Sequence, residues 1–498
     1  MSMHLNQLLD GICPPNLVDN PSITGLCQDS RQLKPGDLFF AYPGVQSDGR
    51  NFLNQAIEKG AAAILLESDP DPVSLLPTPI PLIPVAHLEA YLGIIAARFY
   101  GYPSQQLQVV GVTGTNGKTS CTHFLAQCFQ KLNKRCGVIG TLGNGFYGDL
   151  KPGQLTTPDA IELQQLLAMF LKGRADAVFM EVSSHRLAQQ RLNGTEFSIA
   201  AFTNLTRDHL DYHGSLLAYA EAKRSFFDLP GVEHAVFNAD DSYGKMWLNE
   251  LVGRLPVIAY SIKKPHAVLP SIPQVWVKHY EFNRDGLQAD IVTPWGNISI
   301  KNPFLIGTFN LSNLLLVLIT LKLLNVSLTD IAHVISDVKG VAGRMQAFHY
   351  PQQPLVVVDY AHTPDALEQT LIALRAQCQG SLHCVFGCGG DRDKGKRPLM
   401  AVVAEQHADS IVLTNDNPRF EEPQQIIQEI QQGLMGTKPV YIEPDRRIAI
   451  NYAIQNAKPE DIVLIAGKGH ENYQLIAGIK HPFSDAAEVE ALLNSDKV

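Results

Sequence analysis

The sequence predicts an α/β protein of three domains: a small N-terminal α/β domain, a central domain with a P-loop and a parallel sheet, and a C-terminal Rossmann-like α/β domain. The chain has 498 residues, which is too long for one hydrophobic core and indicates roughly three domains. Apolar strand-like runs alternate with helical patterns in two series, which is typical of parallel sheets with crossover helices. A proline-rich stretch at 68–84 precedes the first series and predicts a loop feeding a short strand.

The order of these patterns predicts the domain boundaries. A helix-like segment, HLEAYLGIIAARFYG, follows the proline-rich stretch, so we expect a boundary near residue 88. The first series consists of LQVVGVT, DAVFMEV, SIAAFTN and HAVFNAD. The second opens after GVAGRMQAF and consists of PLVVVDY, LHCVFGC, SIVLTND and DIVLIAG. The expected domains are therefore residues 1–88, 89–340 and 341–498.

Composition narrows the class of protein. Hydrophobic residues make up 45% of the chain and charged residues 18%, as in ordinary globular proteins. The net charge of −9 argues against a nucleic-acid partner, because phosphate backbones bind basic surfaces. The N-terminal residues lack the pattern of a signal peptide, and no run reaches the roughly 18 apolar residues that cross a bilayer. The eight cysteines form no CxxC pair, which favours reduced thiols in a cytoplasmic protein.

The strongest local signal is LQVVGVTGTNGKTS, at 107–120. A β-like run ends at a glycine loop, and apolar residues then recur on one helix face, at Cys121, Phe124, Leu125, Cys128, Phe129 and Leu132. A glycine loop at a helix N-terminus turns backbone N–H groups toward a phosphate. Lys118 would reach the β- and γ-phosphates and Thr119 would ligate Mg²⁺. A simple glycine turn would not explain Lys-Thr at this point.

Polar residues follow two later strand-like runs. Glu181 lies near the end of DAVFMEV, where many P-loop enzymes hold a magnesium carboxylate, although a polar loop start would also explain it. A second group follows SIAAFTN in one predicted loop and consists of Asp208, His209, Asp211 and His213. An acidic, histidine-containing loop at the strand-end face of a nucleotide domain is a site candidate. Lys223, considered alone, is expected to be a solvated helix lysine.

A set of motifs resembles those of the Mur ligases, which build the peptide stem of peptidoglycan in the bacterial cytoplasm. They are TGTNGKTS, MEVSSH, TNLTRDHLDYHG, EAKRSFF, GTFNLSN, GRMQAF, DYAHTPDAL, GGDRDKGKRP, DNPR and AGKGHE. The similarity runs from about residue 29 to residue 471 and is strongest to members that add meso-diaminopimelate. It implies amide formation between that amino acid and the D-glutamyl γ-carboxylate of UDP-N-acetylmuramoyl-L-alanyl-D-glutamate. ATP would first phosphorylate the carboxylate to an acyl phosphate, and domain closure would gate the reaction.

The resemblance also assigns roles at the ATP site. It implies that Lys223 is carbamylated by CO₂ and that two Mg²⁺ ions are held by Thr119, Glu181, His209 and the modified Lys223, with Lys118 acting on the phosphates. Phe309 matches the position of a ring that stacks on adenine. The implied ATP set is Gly114, Thr115, Asn116, Gly117, Lys118, Thr119, Asn310, Arg344, Asp359 and Lys396. Without the resemblance, Arg344, Asp359 and Lys396 would be interpreted as interdomain salt-bridge residues.

The two remaining substrates have implied sets of their own. The UDP-sugar set is Ser30, Thr156, Thr157, Ser183, Gln189 and Arg191, with Arg31 beside Ser30 and the N-terminal domain as the UDP-binding one. A polar turn or a helix N-cap would explain Ser30 and Thr156–Thr157 equally well. The diaminopimelate set is Arg392, Asp416, Asn417, Pro418, Arg419, Gly467 and Glu471. Arg419 would pair with the distal carboxylate, the group that separates this amino acid from lysine.

Three alternatives stay open from the sequence. A lysine-adding relative would share the ATP site, and a folylpolyglutamate synthase-like ligase would share the phosphate loop and the modified lysine. A P-loop regulatory module would turn over nucleotide without consuming an amino acid. For the ligase, we expect small-molecule partners only, no nucleic acid, no membrane insertion and a monomer in the cytoplasm.

Overall fold

A computed structural model of the protein describes residues 2–13, 19–44, 47–68, 78–153, 156–263, 272–283, 286–348, 350 and 352–495. Much of the predicted proline-rich loop, 69–77, lies outside the described residues, while the strand expected after it is present. All eight cysteines are described, and each is a free thiol, as predicted. Within the described ranges, no helix combines the length and apolar composition needed to cross a bilayer.

Helices and strands alternate along the described chain. Its first part contains β1 (Met3–His4), α1 (Leu5–Leu8), β2 (Ser22–Ile23), β3 (Gly25–Cys27), β4 (Asp37–Ala41), α2 (Leu53–Glu58), β5 (Ala63–Glu67), β6 (Leu82–Val85), α3 (Leu88–Phe99), β7 (Val109–Thr113) and α4 (Lys118–Lys131). The next part contains β8 (Cys136–Gly140), β9 (Gly143–Phe146), β10 (Asp149–Lys151), α5 (Ala160–Lys172), β11 (Ala177–Glu181), α6 (Ser184–Ala188), β12 (Ile199–Phe202), α7 (Leu210–His213), α8 (Leu216–Arg224), β13 (His234–Asn238), α9 (Ser242–Leu251) and β14 (Val257–Ser261).

The remainder begins with three long strands. It contains β15 (Gln274–Asn283), β16 (Gly286–Thr293), β17 (Gly296–Asn302), α10 (Thr308–Leu323), α11 (Leu328–Ser336), β18 (Gln346–Phe348), β19 (Leu355–Asp359), α12 (Pro364–Arg375), β20 (Leu382–Phe386), α13 (Lys396–His407), β21 (Ser410–Leu413), α14 (Pro423–Gln431), β22 (Val440–Ile442), α15 (Arg446–Gln455), β23 (Ile462–Ala466), β24 (Tyr473–Ile476), β25 (Ile479–Pro482) and α16 (Asp485–Ser495). Every strand named in the two predicted series is therefore present.

The chain forms two compact units, each assembled from three chain segments. The first unit consists of 1–113, 133–200 and 222–235, and the second of 114–132, 201–221 and 236–498. β12 and β13 each begin in the first unit and end in the second. These two compact units do not correspond to the predicted domains 1–88, 89–340 and 341–498. The boundaries of those domains stay predictions.

In the first unit, β3, β4, β5 and β6 form a four-stranded parallel sheet. Successive side chains of a strand point to opposite faces. Leu38 and Phe40 of β4 therefore join the core that includes Leu92 of α3, while Phe39 joins a separate core with Ala56 of α2. The small N-terminal part is thus an α/β layer with cores on both sides of its sheet.

The first unit also shows where the prediction of a purely parallel central sheet was incomplete. β7 and β8 flank β11 in parallel, as expected. β9 and β10 instead add antiparallel strands at the edge. β8 and β9 are separated by two residues, Thr141 and Leu142. An antiparallel hairpin needs only so short a connection, whereas a parallel pair needs a long crossover.

The second unit contains an antiparallel meander that the prediction missed. β15 pairs with β16 and β16 with β17, both antiparallel. In β16 the burial alternates residue by residue, with Leu287, Ala289 and Ile291 buried. This period of two marks a sheet with one face in the core, but the sequence analysis followed only continuous apolar runs.

The C-terminal sheet has the strand order β18-β19-β23-β20-β21-β22 and is parallel except at β18. Val357 and Leu464 pack into one core with Leu371 of α12, and Val356 and Val463 pack on the other face. Helices therefore cover both faces, as in the predicted Rossmann-like fold. The carboxyl ends of β19, β20, β21 and β23 meet at one edge, where open α/β sheets bind ligands.

Candidate active site

The glycine loop lies between β7 and α4, as predicted. Gly114 has φ of 148° and Gly117 has φ of 87°, backbone conformations that residues with a Cβ rarely adopt. A Cβ on Gly114 would lie 1.9 Å from Thr203 Oγ1, and one on Gly117 would lie 2.7 Å from Asn313 Oδ1. Both glycines are therefore required by close approach as well as by backbone angle.

Two residues beyond β12 hold this loop, and the sequence analysis missed both. Asn204 accepts hydrogen bonds from the backbone N–H groups of Thr115 (2.8 Å) and Asn116 (2.9 Å), and Thr203 Oγ1 donates to Asn116 O (2.6 Å). Thr115 Oγ1 also lies 3.2 Å from the Tyr219 hydroxyl. Their sequence signal was available, since Thr203 and Asn204 directly follow the strand run SIAAF, at the edge where sites form.

The charged groups of the loop lie close to its backbone. Lys118 Nζ donates to Gly114 O and Thr115 O, both at 2.8 Å, so the ammonium is over the loop that is expected to bind phosphate. Arg344 Nη2 lies 3.5 Å from Thr119 Oγ1. The structure thus brings together two cations and the hydroxyl predicted as a magnesium ligand.

A cavity of about 400 Å³ opens beside this loop, within the second unit. Predicted ATP residues that line it are Asn116, Gly117, Asn310, Arg344 and Asp359, together with Phe309. Gly114, Thr115, Lys118 and Thr119 belong to the adjoining loop and helix start. Lys396 is buried at the start of α13 and is not among the cavity-lining residues that the structure describes. Asp240 and Asp365, which the sequence analysis did not single out, line it as well.

The carboxyl end of β19 contributes a buried acid to this cavity. Asp359 accepts a hydrogen bond from Met345 N (2.7 Å), and burial raises the pKa of its carboxyl group although Arg344 opposes the shift. The Arg344 guanidinium lies 4.3 Å from the centre of the Tyr360 ring, a cation–π distance. Asp359 therefore fixes the backbone at Met345, next to Arg344, and the Tyr360 ring packs against the Arg344 guanidinium.

A second acid lies between two histidines. His209 Nε2 and His362 Nε2 lie 3.3 Å and 3.5 Å from Asp208 Oδ2. Burial alone would raise the pKa of Asp208, but the hydrogen bond from His362 and the nearby positive charge hold it well below its usual range. Asp211 and His213 lie in the short helix α7 rather than in the loop that was predicted for them. Only part of the predicted acidic loop is thus at the cluster.

Two further predicted magnesium ligands, Glu181 and Lys223, are buried. Glu181 is fully buried at the end of β11 and accepts hydrogen bonds from Thr141 N (2.8 Å) and Thr141 Oγ1 (3.1 Å). Lys223 is only 1% exposed, so the expectation of a solvated lysine was wrong. Glu181 and Lys223 lie in the first unit, and Thr119 and His209 in the second. A buried carboxylate and a buried lysine suit a carbamate-containing magnesium site, because Mg²⁺ takes oxygen ligands.

The central part of the predicted UDP-sugar set forms one hydrogen-bonded cluster in the first unit. Thr157 Oγ1 donates to Glu181 O (2.8 Å) and accepts from Ser183 N (3.2 Å), and Thr156 Oγ1 lies 3.2 Å from Thr141 Oγ1. Buried Arg186, which was missed, bonds Thr157 O (2.9 Å) and Gln189 Oε1 (3.0 Å).

A cavity of about 380 Å³ lies beside that cluster. Gln189 lines it together with Tyr42 and Glu89, and Arg191 Nε lies 3.6 Å from Glu89. Ser30 is buried elsewhere in this unit, where its hydroxyl donates to Gln55 Oε1 (2.6 Å). Arg31 is 83% exposed and pairs with Asp29. Gln189 therefore lines a cavity and Arg191 lies next to Glu89 of its lining, whereas Ser30 and Arg31 are not among the described lining residues.

Most of the predicted diaminopimelate set meets at the carboxyl ends of β21 and β23. Asn417 Nδ2 donates to Glu471 Oε2 (2.8 Å), and a Cβ on Gly467 would lie 2.6 Å from Asp416 Oδ2. Buried Pro418 follows Asn417 directly. Lys468, which the sequence analysis did not name, donates to both Asn417 and Glu471.

Two arginines border this group. Arg419 is partly buried, has φ of 54° and donates from Nη1 to Gly390 O (2.8 Å). Arg392 is half-exposed, and its Nη1 lies 3.8 Å from Asp211 Oδ2. Arg419 is therefore directed toward the 389–392 loop that also carries Arg392. Two guanidinium groups, one amide and one carboxylate are therefore found in this part of the second unit, a set of groups that would suit a zwitterionic amino acid.

Comparison with protein families gives three matches along the chain. Residues 22–100 match the model described as Mur ligase family, catalytic domain, and residues 112–321 match the Mur ligase middle domain. Residues 343–469 match the Mur ligase glutamate ligase domain. Together these matches describe the three-domain fold of that family.

Individual relatives are similar over almost the whole chain. The UDP-N-acetylmuramoyl-L-alanyl-D-glutamate–2,6-diaminopimelate ligase of Coxiella burnetii is 48% identical, over 98% of this chain and 99% of its own. The ligase of the same name from Pseudomonas aeruginosa is 47% identical, over 99% and 98%. A solved structure of a 2,6-diaminopimelate ligase superposes with a TM-score of 0.69 at 34% identity and full coverage of both chains. Thermotoga maritima MurF ligase in complex with ADP shares the fold, with a TM-score of 0.62 at 18% identity over 95% of this chain and 97% of its own.

Proposed function

This chain belongs to the Mur ligase family, and we propose that it joins meso-2,6-diaminopimelate to UDP-N-acetylmuramoyl-L-alanyl-D-glutamate. It is an ATP-dependent ligase that forms an amide bond in peptidoglycan synthesis. The observation that carries the substrate assignment is the 48% identity to a diaminopimelate ligase over 98% of the chain, which includes the DNPR segment. ATP would bind in the cavity beside the glycine loop, the UDP-sugar dipeptide near the cavity lined by Gln189, and diaminopimelate at the residues around Asn417 and Glu471.

The ATP phosphates would bind at the loop between β7 and α4. Lys118 is already over this loop, and Arg344 lies beside Thr119, so both cations can offset charge on the phosphoryl group during transfer. The γ-carboxylate of the D-glutamyl residue attacks the γ-phosphorus of ATP and becomes an acyl phosphate, while the bond to the β,γ-bridging oxygen breaks and ADP is released. The amino group of diaminopimelate then attacks that carbonyl to give a tetrahedral intermediate, which loses a proton and expels phosphate to form the amide.

Two magnesium ions are part of the proposal. Thr119, Glu181, His209 and a carbamylated Lys223 would hold them, and the ions would stabilise negative charge on the phosphates. The burial of Glu181 and Lys223 supports this assignment. Labelling with ¹³CO₂ followed by NMR tests the modification: a carbamate resonance is expected in the wild type and lost in Lys223→Ala.

A competition assay tests the reaction. Purified protein receives ATP, Mg²⁺ and the UDP-linked dipeptide, with diaminopimelate, lysine, both or neither, and phosphate release and product mass are measured. Phosphate release that requires both dipeptide and diaminopimelate supports the proposal. Preference for lysine would assign a lysine-adding ligase, and turnover with nucleotide alone would assign a regulatory module. Turnover in a parallel reaction with a folate and glutamate in place of the dipeptide and diaminopimelate would assign the folylpolyglutamate class. The protein is further proposed to act as a monomer in the cytoplasm, which analytical ultracentrifugation and fractionation test.

A further inference from the structure

Lys468 is a completely buried cation beside the residues proposed to bind the amino acid. Its side chain has no exposed surface, although lysine is rarely buried unless paired. Its Nζ donates to Asn417 Oδ1 at 3.1 Å and to Glu471 Oε2 at 2.8 Å. Lys468 therefore contacts two of the residues expected to hold diaminopimelate, and it does so from a position without exposed surface.

These contacts fix how Asn417 presents its amide. Asn417 Oδ1 accepts from Lys468 Nζ and from Leu475 N (2.9 Å), so the oxygen end faces the protein. The Nδ2 end consequently faces Glu471 and donates to its Oε2 at 2.8 Å. A flipped amide would place an N–H donor against two donors, which is unfavourable.

The same contacts orient Glu471. Oε2 accepts from both Asn417 and Lys468, whereas no described residue donates to Oε1. A carboxylate oxygen without a protein donor can accept a hydrogen bond from a ligand ammonium. Lys468 thus holds Glu471 Oε2 inside the protein, and Oε1 can accept a hydrogen bond from a ligand.

We propose that Lys468 is a positioning residue for the incoming amino acid, acting through Asn417 and Glu471. This inference rests on the proposed function. Without the ammonium, Glu471 would lose a charged partner on its protein side and would rotate toward water, since an unpaired carboxylate is costly to keep in a pocket. The binding of diaminopimelate would suffer, while the ATP cavity and the UDP-sugar cluster share no hydrogen bond with Lys468 among the described residues.

Steady-state kinetics of Lys468→Met test this role. We expect the KM for diaminopimelate to rise by about tenfold or more, because a charged hydrogen bond is lost. The KM values for ATP and the dipeptide should change by less than about twofold. Lys458→Met is the matched control, because Lys458 is exposed and makes no side-chain hydrogen bond among the described residues. Equal changes in all three KM values, or none, would overturn the inference.

A double-mutant cycle keeps the test decisive if Lys468→Met folds poorly. Glu471→Gln together with Lys468→Met leaves a neutral pair of similar size. We expect Lys468→Met to add less than about twofold to the KM for diaminopimelate in the Glu471→Gln background. If the increases in KM for diaminopimelate in the two single variants multiply in the double variant, Lys468 does not act through Glu471. If the wild type itself does not ligate diaminopimelate, the proposed function fails, and the cycle is measured with the amino acid that it does use.

Discussion

Arg419 has a backbone conformation that is uncommon for a residue with a long side chain. Its φ of 54° is in the left-handed region, which costs roughly 1–2 kcal/mol for a residue other than glycine. Its N–H donates to Leu475 O (2.9 Å), and its carbonyl accepts from Ala477 N (2.6 Å). The β24–β25 hairpin therefore holds the strained residue in place. Strained backbone conformations cluster at functional sites, which is consistent with a functional role for the Arg419 side chain.

We predict that Arg419→Ala lowers kcat/KM for diaminopimelate, because a charged hydrogen bond to the distal carboxylate is lost. The loss of transition-state stabilisation should be roughly 1–3 kcal/mol or more. Use of lysine, which lacks that carboxylate, should change less. Competition kinetics with both amino acids measure the difference. Arg447→Ala is the control, since this exposed arginine pairs with Glu488 away from the pocket. If Arg419→Ala keeps the wild-type kcat/KM for diaminopimelate, Arg419 does not recognise the distal carboxylate.

The backbone strain gives a separate prediction for stability. Arg419→Gly should be more stable than Arg419→Ala by about 1 kcal/mol, because glycine adopts positive φ without a Cβ clash. Urea unfolding of the two variants measures this difference. Equal midpoints and equal slopes would mean that the strain is relieved elsewhere.

At the scale of elements, the sequence predicted those with a strong periodic signal. The helix face containing Cys121, Phe124 and Cys128 became α4, and these residues are buried. The meander β15–β17 was not predicted, because buried and exposed residues alternate along β16 and β17, whereas the predicted strands are continuous apolar runs. Lys468 and Arg397 were missed for another reason. Each has at least one partner distant in sequence, Asn417 for Lys468 and Glu421 and Glu429 for Arg397, and no local pattern reveals such a contact.

Arg397 joins α13 to α14 and to the loop that follows β21. Its side chain is completely buried, and it pairs with Glu421 (2.9 Å) and Glu429 (2.6 Å). We predict that Arg397→Met destabilises the protein by about 3 kcal/mol, because two carboxylates lose their buried partner. Thermal and urea unfolding measure this loss. Adding Glu421→Gln should restore part of it, and failure to do so would contradict the ion-pair explanation.

The same cluster predicts a pH dependence. Hydrogen bonds from Arg397, from the Asp391 N–H and from Lys394 outweigh burial and lower the pKa of Glu421 from 4.5 to about 2, with Arg397 contributing most. The unfolded chain therefore binds more protons than the folded one between these values. The stabilisation is fully present above pH about 4.5 and is lost as the pH falls toward 2. Over this window the free energy of unfolding should fall less steeply in Arg397→Met than in the wild type, and parallel curves would count against the assignment.

At the scale of the whole molecule, the sequence predicted which motifs matter better than how they are held. Asn417, Arg419 and Glu471 were named from DNPR and AGKGHE, and the structure brings them to one edge of the C-terminal sheet. The predicted set did not include Asn204, which holds the phosphate loop through two backbone N–H groups. Motif matching identifies residues that touch substrates, whereas supporting residues are defined by three-dimensional contacts.

One ion pair in the second unit connects segments that match two different family domains. Arg207, in the middle-domain match, pairs with Asp393, in the C-terminal match, through two hydrogen bonds of 2.9 Å and 3.1 Å. Burial opposes ionisation, but the guanidinium holds the pKa of Asp393 below its usual range. Arg207 is next to Asp208 of the histidine cluster, and Asp393 is next to Arg392 of the amino-acid pocket.

We predict that this pair serves alignment more than stability. Arg207 is 44% exposed, so Arg207→Gln should change the free energy of unfolding by less than about 1 kcal/mol. The kcat/KM for diaminopimelate should fall by about tenfold or more, because small misplacements of reacting groups slow catalysis strongly. Asp393→Asn should behave alike, and the double variant should be no worse than either single one. Arg375→Gln, which breaks a similarly exposed pair with Asp409 within the C-terminal match, should leave catalysis unchanged. Multiplicative losses in the double variant would instead mean that Arg207 and Asp393 contribute independently, and the connection between the two segments would have to lie in other contacts.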